Sequence, residues 1–139
     1  MATLYEAVGG FDAILTLTRR WHDLCLADPL AAHPFEHELH PRHDERLAAY
    51  LAEALGGPML YTAGYGDESS MQRIHAGNGV HTDLDEACLA AFDRALAATG
   101  ITGETAGRVS AYFRGATVAQ RAYGEGAHLV PDGLPFNRA

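Results

Sequence analysis

The chain has 139 residues, 47% hydrophobic and 20% charged, with a formal net charge of −8, the balance of one globular domain long enough to bury its own core. That acidic balance excludes the basic patch a nucleic-acid partner requires and disfavours anionic membrane surfaces. No run of about 18 apolar residues exists, so no transmembrane helix is expected; the opening MATLYEAVGG lacks the basic start and apolar stretch of a signal peptide, which makes a cytoplasmic location the expectation.

Apolar residues recur at helical spacing almost throughout, and nothing alternates with a period of two over a useful length, so the chain reads as all-α. Residues 11–27 form the first long helix, with Phe11, Ile14, Leu15, Thr18, Trp21, Cys25 and Leu26 near one stripe; Gly9 and Gly10 precede it and Asp28-Pro29 ends it. A loop rich in His and Pro, AAHPFEHELHP, follows. In the next helix, within RHDERLAAYLAEALGG, Leu47, Tyr50, Leu51 and Ala54 share a face, and Gly56-Gly57-Pro58 stops it. Residues 59–69 read as a loop, and 69–75 as a short helix leading into AGNG. Thr82 or Asp83 caps a helix that runs to about residue 99, with Leu84, Cys88, Ala91, Phe92 and Ala95 inward. Residues 105–123 form the last long helix and offer Val109, Tyr112, Phe113, Ala116 and Val118 to the core. The tail GEGAHLVPDGLPFNRA is loop-like, with Leu129, Val130, Leu134 and Phe136 available to pack on the body. No repeat or linker divides the chain.

The chain carries 8 histidines, a high number whose placement needs an account. His33, His37, His40 and His43 crowd one stretch, and on a single helix they would form a metal-binding face. Pro34 and Pro41 interrupt that helix, and no cysteine lies nearby to complete a structural zinc site, so His33, His37 and His40 read as solvated loop residues. The others sit differently. His22 lies mid-helix beside Trp21, His43 opens the next helix one turn before Leu47, and His75 ends a short helix ahead of a glycine loop. Three imidazoles on three helices around an apolar interior can line a cofactor pocket, and composition does not say for which cofactor. Cys25 and Cys88, far apart in apolar helical patterns, read as buried free thiols rather than a disulfide.

In order along the chain, LYEAVGG, RRWHDLCLADPL, HPFEHELHPRHDERLAAYLAEALGGP, MQRIHAGNG and ACLAAFDRAL resemble the truncated hemoglobins, and within them the second group, or O type. The resemblance implies a two-over-two helical sandwich over residues 1–125, with 126–139 as a C-terminal tail, enclosing haem b (iron protoporphyrin IX). It places His75 as the proximal iron ligand. Phe35 matches the aromatic wedge on the haem face, His43 the distal helix position and Leu47 the contact one turn on. Trp21 packs at the haem edge or in the core, and Arg73 is a candidate for a propionate. Two positions depart from the family pattern: His22 stands where relatives usually carry Tyr, and Cys88 where the group typically has Trp. Cys is much smaller than Trp, so an enlarged distal cavity is expected.

The family binds O2, NO, CO or peroxide as small ligands. A distal N–H donor to bound O2 is worth about 1–3 kcal/mol, and His43, then His22, is the candidate for it; His22 can alternatively orient His43 or hold a water. The same pair suits peroxidase-like activation, in which a neutral imidazole takes a proton from peroxide and returns it to the leaving oxygen, or nitric oxide dioxygenation. Direct binding of a distal His to iron is a further outcome. A carrier or sensor, a haem enzyme acting on an organic substrate, and a haem-free helical module are the alternatives. Sustained turnover with O2 requires a separate reductase, because GGP and GNG are not the dinucleotide fingerprint.

Overall fold

The computed structural model describes residues 2–35 and 41–139. Its α-helices are α1 (Leu4–Val8), α2 (Gly10–Leu26), α3 (His43–Ala54), α4 (Leu60–Gly64), α5 (Glu68–His75), α6 (Thr82–Ala98) and α7 (Gly103–Ala119), with single 3₁₀ turns at His33–Phe35, Gln120–Tyr123 and Ala127–Leu129. No strand occurs among the described residues. His37 and His40 lie outside them.

Local chemistry sets most boundaries. Gly9, at φ 107°, closes α1 in the left-handed region and lets α2 begin at the next residue. A capping box opens α5: the Asp67 carboxylate accepts from Ser70 N at 2.8 Å and Ser70 Oγ accepts from Asp67 N at 2.9 Å. The segment 59–69, expected to be a loop, contains α4, because the Glu53 carboxylate pairs the otherwise orphaned N–H and hydroxyl of Thr62 at 2.9 and 2.6 Å. At the other end, α7 stops at Ala119 and tightens into a 3₁₀ turn, rather than running to residue 123 as one helix.

The sandwich consists of two helix pairs. α2 packs on α3 and on α6, and α6 packs on α7. Ile14, Leu17, Thr18, Trp21 and Cys25 of α2 meet Ala48 and Leu51 of α3 and Ala91, Phe92 and Ala95 of α6, with Val109 of α7 closing the core. Phe92 and Phe113 stack with centroids 3.9 Å apart. Leu26, expected inward, is 52% exposed because it follows Cys25 by one residue and so turns off the buried stripe at the helix end. Val118, likewise expected in the core, is also exposed, whereas Leu17, one turn from Ile14, is fully buried.

A second cluster, built on Tyr50, Tyr61 and Met71, ties α3 to α4 and α5 and holds the tail. The buried Glu68 carboxylate accepts from Tyr50 Oη at 2.5 and 2.9 Å and from Asn137 N at 3.3 Å. Tyr112 Oη donates to Asn137 O at 2.6 Å, Ser69 Oγ to Pro131 O at 2.7 Å, and Arg138 Nη2 to the fully buried Glu53 at 3.3 Å. Burial pushes the phenols of Tyr50 and Tyr112 up, the latter to about 12, so both remain hydroxyl donors. In the tail, Val130 is buried, Leu134 and Phe136 are half-buried, and Leu129 is exposed.

Removing the buried acceptor at Glu53 strands the Thr62 donors. Glu53→Ala is expected to lower unfolding stability by about 2–3 kcal/mol, as read from urea denaturation midpoints at unchanged slope.

Candidate functional site

Met71 and His75 are one turn apart on α5. The Met71 carbonyl accepts from His75 Nδ1 at 2.8 Å, which places the ring proton on Nδ1 and leaves the lone pair on Nε2. The ring is exposed, and beside it Ile74 (63% exposed) and Val80 (59% exposed) put apolar side chains in the open. Behind it the chain turns through Gly77 (φ 83°) and Gly79 (φ 71°), conformations that glycine adopts without strain. Asn78 Nδ2 donates to His75 O at 3.0 Å, while Gly77 N and Gly79 N donate to Tyr123 O and Gly124 O at 3.1 and 2.8 Å. The loop is thus anchored to the segment after α7.

Across the interior, α2 and the first turn of α3 bring His22 and His43 together, with ring centroids 5.6 Å apart. Phe35 lies against both, at 4.7 and 5.7 Å. Between the imidazoles sits Asp44: its Oδ1 is 2.9 Å from His22 Nδ1 and 3.4 Å from His43 Nδ1. A carboxylate only accepts, so both neutral rings carry their proton on Nδ1 and present Nε2 as a base. Thr18 Oγ1 donates to Asp44 O at 3.1 Å and fixes the start of α3 against α2. Burial lowers the pKa of His43 below the ordinary histidine value; Asp44 opposes that shift, and His22 and His75 add to it. A polar cavity of about 240 Å³ opens beside this cluster, lined by Arg19, His22, Pro41, Arg42, His43, Asp44 and Glu45.

The remaining residues singled out from the sequence divide between core and surface. Trp21 is a core residue: its indole N–H donates to Cys88 O at 2.9 Å and its ring meets Phe35 and Phe113 edge-on. That indole sits against the Cys88 backbone carbonyl, and the 240 Å³ cavity is lined by other residues. Leu47 is half-buried on the main core. The Arg73 guanidinium turns to the tail, pairing with Asp132 and donating to Val130 O at 3.2 Å. Cys25 and Cys88 are both free, and their thiols meet across α2 and α6. A hydrogen bond with Cys88, together with burial, pushes the Cys25 thiol up, and the same bond draws Cys88 down. Asp44 was not singled out from the sequence. An acid in the first turn of a helix is ordinary, and nothing in the spacing signals that this one reaches a histidine 22 positions upstream.

Residues 3–119 match the family description "Bacterial-like globin", and the chain belongs to that family. It is a truncated globin by both sequence and fold. A curated relative, the Group 1 truncated hemoglobin GlbN of Mycolicibacterium paratuberculosis, is 29% identical over 111 residues, 78% of this chain and 76% of the relative. Among solved structures, the Group II 2-on-2 hemoglobin of Agrobacterium tumefaciens superposes with a TM-score of 0.75 at 26% identity, covering 87% of this chain and 95% of that one. The Group II truncated hemoglobin of Bacillus anthracis gives 0.76 at 22% identity over 87% and 91%. Membership in this family implies haem-based binding of diatomic ligands. Among the described residues, no helix is long and apolar enough to cross a membrane.

The donor arrangement makes a chemical prediction about the thiols. Iodoacetamide is expected to alkylate Cys88 ahead of Cys25. Cys25→Ala is expected to slow Cys88 alkylation near neutral pH, because the S–H donor that favours its thiolate is gone; peptide mass spectrometry over a time course reads both effects.

Proposed function

We propose that this globin holds haem b on His75 and activates peroxide, with His43 as the proton-handling group and Asp44 as its positioning residue. The observation that carries the reading is the carboxylate shared by two imidazoles. His75 fits an iron ligand on its own chemistry, having a neutral ring with Nδ1 hydrogen-bonded, Nε2 free and apolar neighbours exposed beside it. When bound, haem supplies the metal centre that takes small ligands and exchanges electrons with them.

The distal residues do the rest. His43, neutral near pH 7 because its pKa is lowered, offers Nε2 to one proton of hydrogen peroxide and can return it to the other oxygen, which would leave as water as the O–O bond breaks; the two electrons this cleavage consumes would come from the haem and be replaced by an external reductant. Asp44 keeps the Nδ1 proton in place, so that the base is always the same nitrogen. Phe35 holds both rings against rotation. His22, also tethered to Asp44, carries a second Nε2 acceptor that can bind a water or a second peroxide hydroxyl. An acceptor on the distal side favours ligands that bring their own proton. A stabilising donor to O2 would require the other tautomer or the imidazolium, so peroxide chemistry is favoured over oxygen carriage. Turnover requires an external reductant, supplied by a separate partner.

Three measurements test this. His75→Gly is expected to abolish the Soret spectrum of the purified protein, and added imidazole to restore it; an unaltered spectrum overturns the assignment. His43→Ala is expected to slow the reaction with peroxide about 10²-fold, in stopped-flow mixing. Asp44→Ala is expected to slow it by less and to lower the C–O stretching frequency of the carbon monoxide complex, since a released imidazole can turn an Nε2–H toward the ligand. Wild-type peroxide rates in both variants would leave a carrier.

A further inference from the structure

We infer that His22, His43 and Asp44 form a binding site for a divalent transition-metal ion of the zinc class, separate from the haem iron. Among the described residues these three offer ligand atoms that all lie within 4.8 Å of one another. Their side chains are 20%, 27% and 27% exposed, so the site is half-buried and reachable from solvent. Two imidazoles and one carboxylate make the borderline N₂O donor set that zinc and its neighbours prefer to calcium or magnesium.

The spacing supports this reading. Tetrahedral ligation with bonds of about 2.0–2.1 Å puts donor atoms about 3.3 Å apart. The pair His43 Nδ1 and Asp44 Oδ1 stands at 3.4 Å already, and the pair His22 Nδ1 and Asp44 Oδ1, at 2.9 Å, needs to open by a few tenths of an ångström. The fourth position falls to the adjacent polar cavity, about 240 Å³, which has room for water or a small anion. Asp44 and Glu45 supply negative charge on the cavity wall against Arg19 and Arg42, and Arg42 is paired with Glu45 at 2.6 Å. His33, excluded from a zinc face on sequence grounds, takes no part; the second imidazole comes instead from α2, brought to α3 by the fold.

Occupancy has a chemical consequence, and this part rests on the reading proposed above. An ion at this site takes both Nδ1 lone pairs, so each ring moves its proton to Nε2. The distal face then changes from two proton acceptors to two donors. A metal-loaded chain favours ligands that accept a hydrogen bond, as O2 does, and loses its base for peroxide.

The test is isothermal titration of Zn²⁺ into the full-length chain, with haem content held fixed. One site is expected in the wild type. His22→Gln and Asp44→Asn, which keep the shape of the side chains, are each expected to weaken it by at least about tenfold, by loss of one ligand. His128→Ala, an exposed histidine outside the cluster, is expected to leave it unchanged. Absence of saturable binding in the wild type, unchanged binding in both cluster variants, or loss of binding in His75→Gly alone overturns the inference. Circular dichroism of each variant confirms that it is folded. Because the readout is heat of metal binding, failure here leaves the haem assignment standing, and failure of the Soret test leaves the metal site standing. If Zn²⁺ binds and the C–O stretching frequency of the carbon monoxide complex does not fall, the site stands and the proton relocation is overturned.

Discussion

A hydrogen bond on one imidazole nitrogen decides what the other can do. His22, His43 and His75 each have Nδ1 engaged, His75 by a backbone carbonyl of its own helix and His22 and His43 by one shared carboxylate. The consequence in every case is a defined tautomer with a free Nε2. On α5 that leaves a single exposed acceptor nitrogen; where α2 and α3 meet, it leaves a pair of them. The element on which each ring sits decides whether its nitrogen stands alone or beside another. A backbone acceptor four residues back is a property of any helix, so the proximal arrangement needs only that the helix persist to residue 75. The distal arrangement needs two helices to meet, which the fold must enforce.

Two buried carboxylates do much of that enforcement. Glu53 joins the end of α3 to α4 and to Arg138, and Glu68 joins α5 to Tyr50 of α3 and to Asn137. Both are costly to desolvate, and both are satisfied by several donors, the condition under which a buried charge specifies an arrangement rather than opposing it. The tail therefore belongs to the frame of the site. Its residues also take up Arg73, whose pairing with Asp132 and Val130 O holds the tail to α5, the helix of His75.

Much of the fold was legible in the sequence because helical periodicity and glycine punctuation are local signals. α2, α3, α5, α6 and α7 each announce themselves by a stripe and a stop, and the motif order identifies the family. The errors arise where a distant residue intervenes. α4 was read as loop because its stabilising acceptor, Glu53, belongs to the preceding helix. Asp44 was invisible as a site residue for the same reason: its importance lies in reaching across to His22. The partner of His75, by contrast, is local, a carbonyl one turn back on its own helix.

His22 and Cys88, singled out in the sequence as departures from the family pattern, stand in different surroundings. With Trp21 on the Cys88 carbonyl and the Phe92–Phe113 stack behind it, the side of α6 is dry and rigid. Polarity is confined to the junction of α2 and α3, where Thr18, His22, His43 and Asp44 form a connected set next to a solvent-reaching cavity. Protons can enter and leave by that route without crossing the apolar core. A phenol at position 22 could also donate to Asp44, as Tyr50 does to Glu68, but it has no second ring nitrogen to leave free as an acceptor. An imidazole there shares Asp44 with His43 and leaves its Nε2 as an acceptor. Both imidazoles take their tautomer from the carboxylate at 44, so His22, His43 and Asp44 act as one unit.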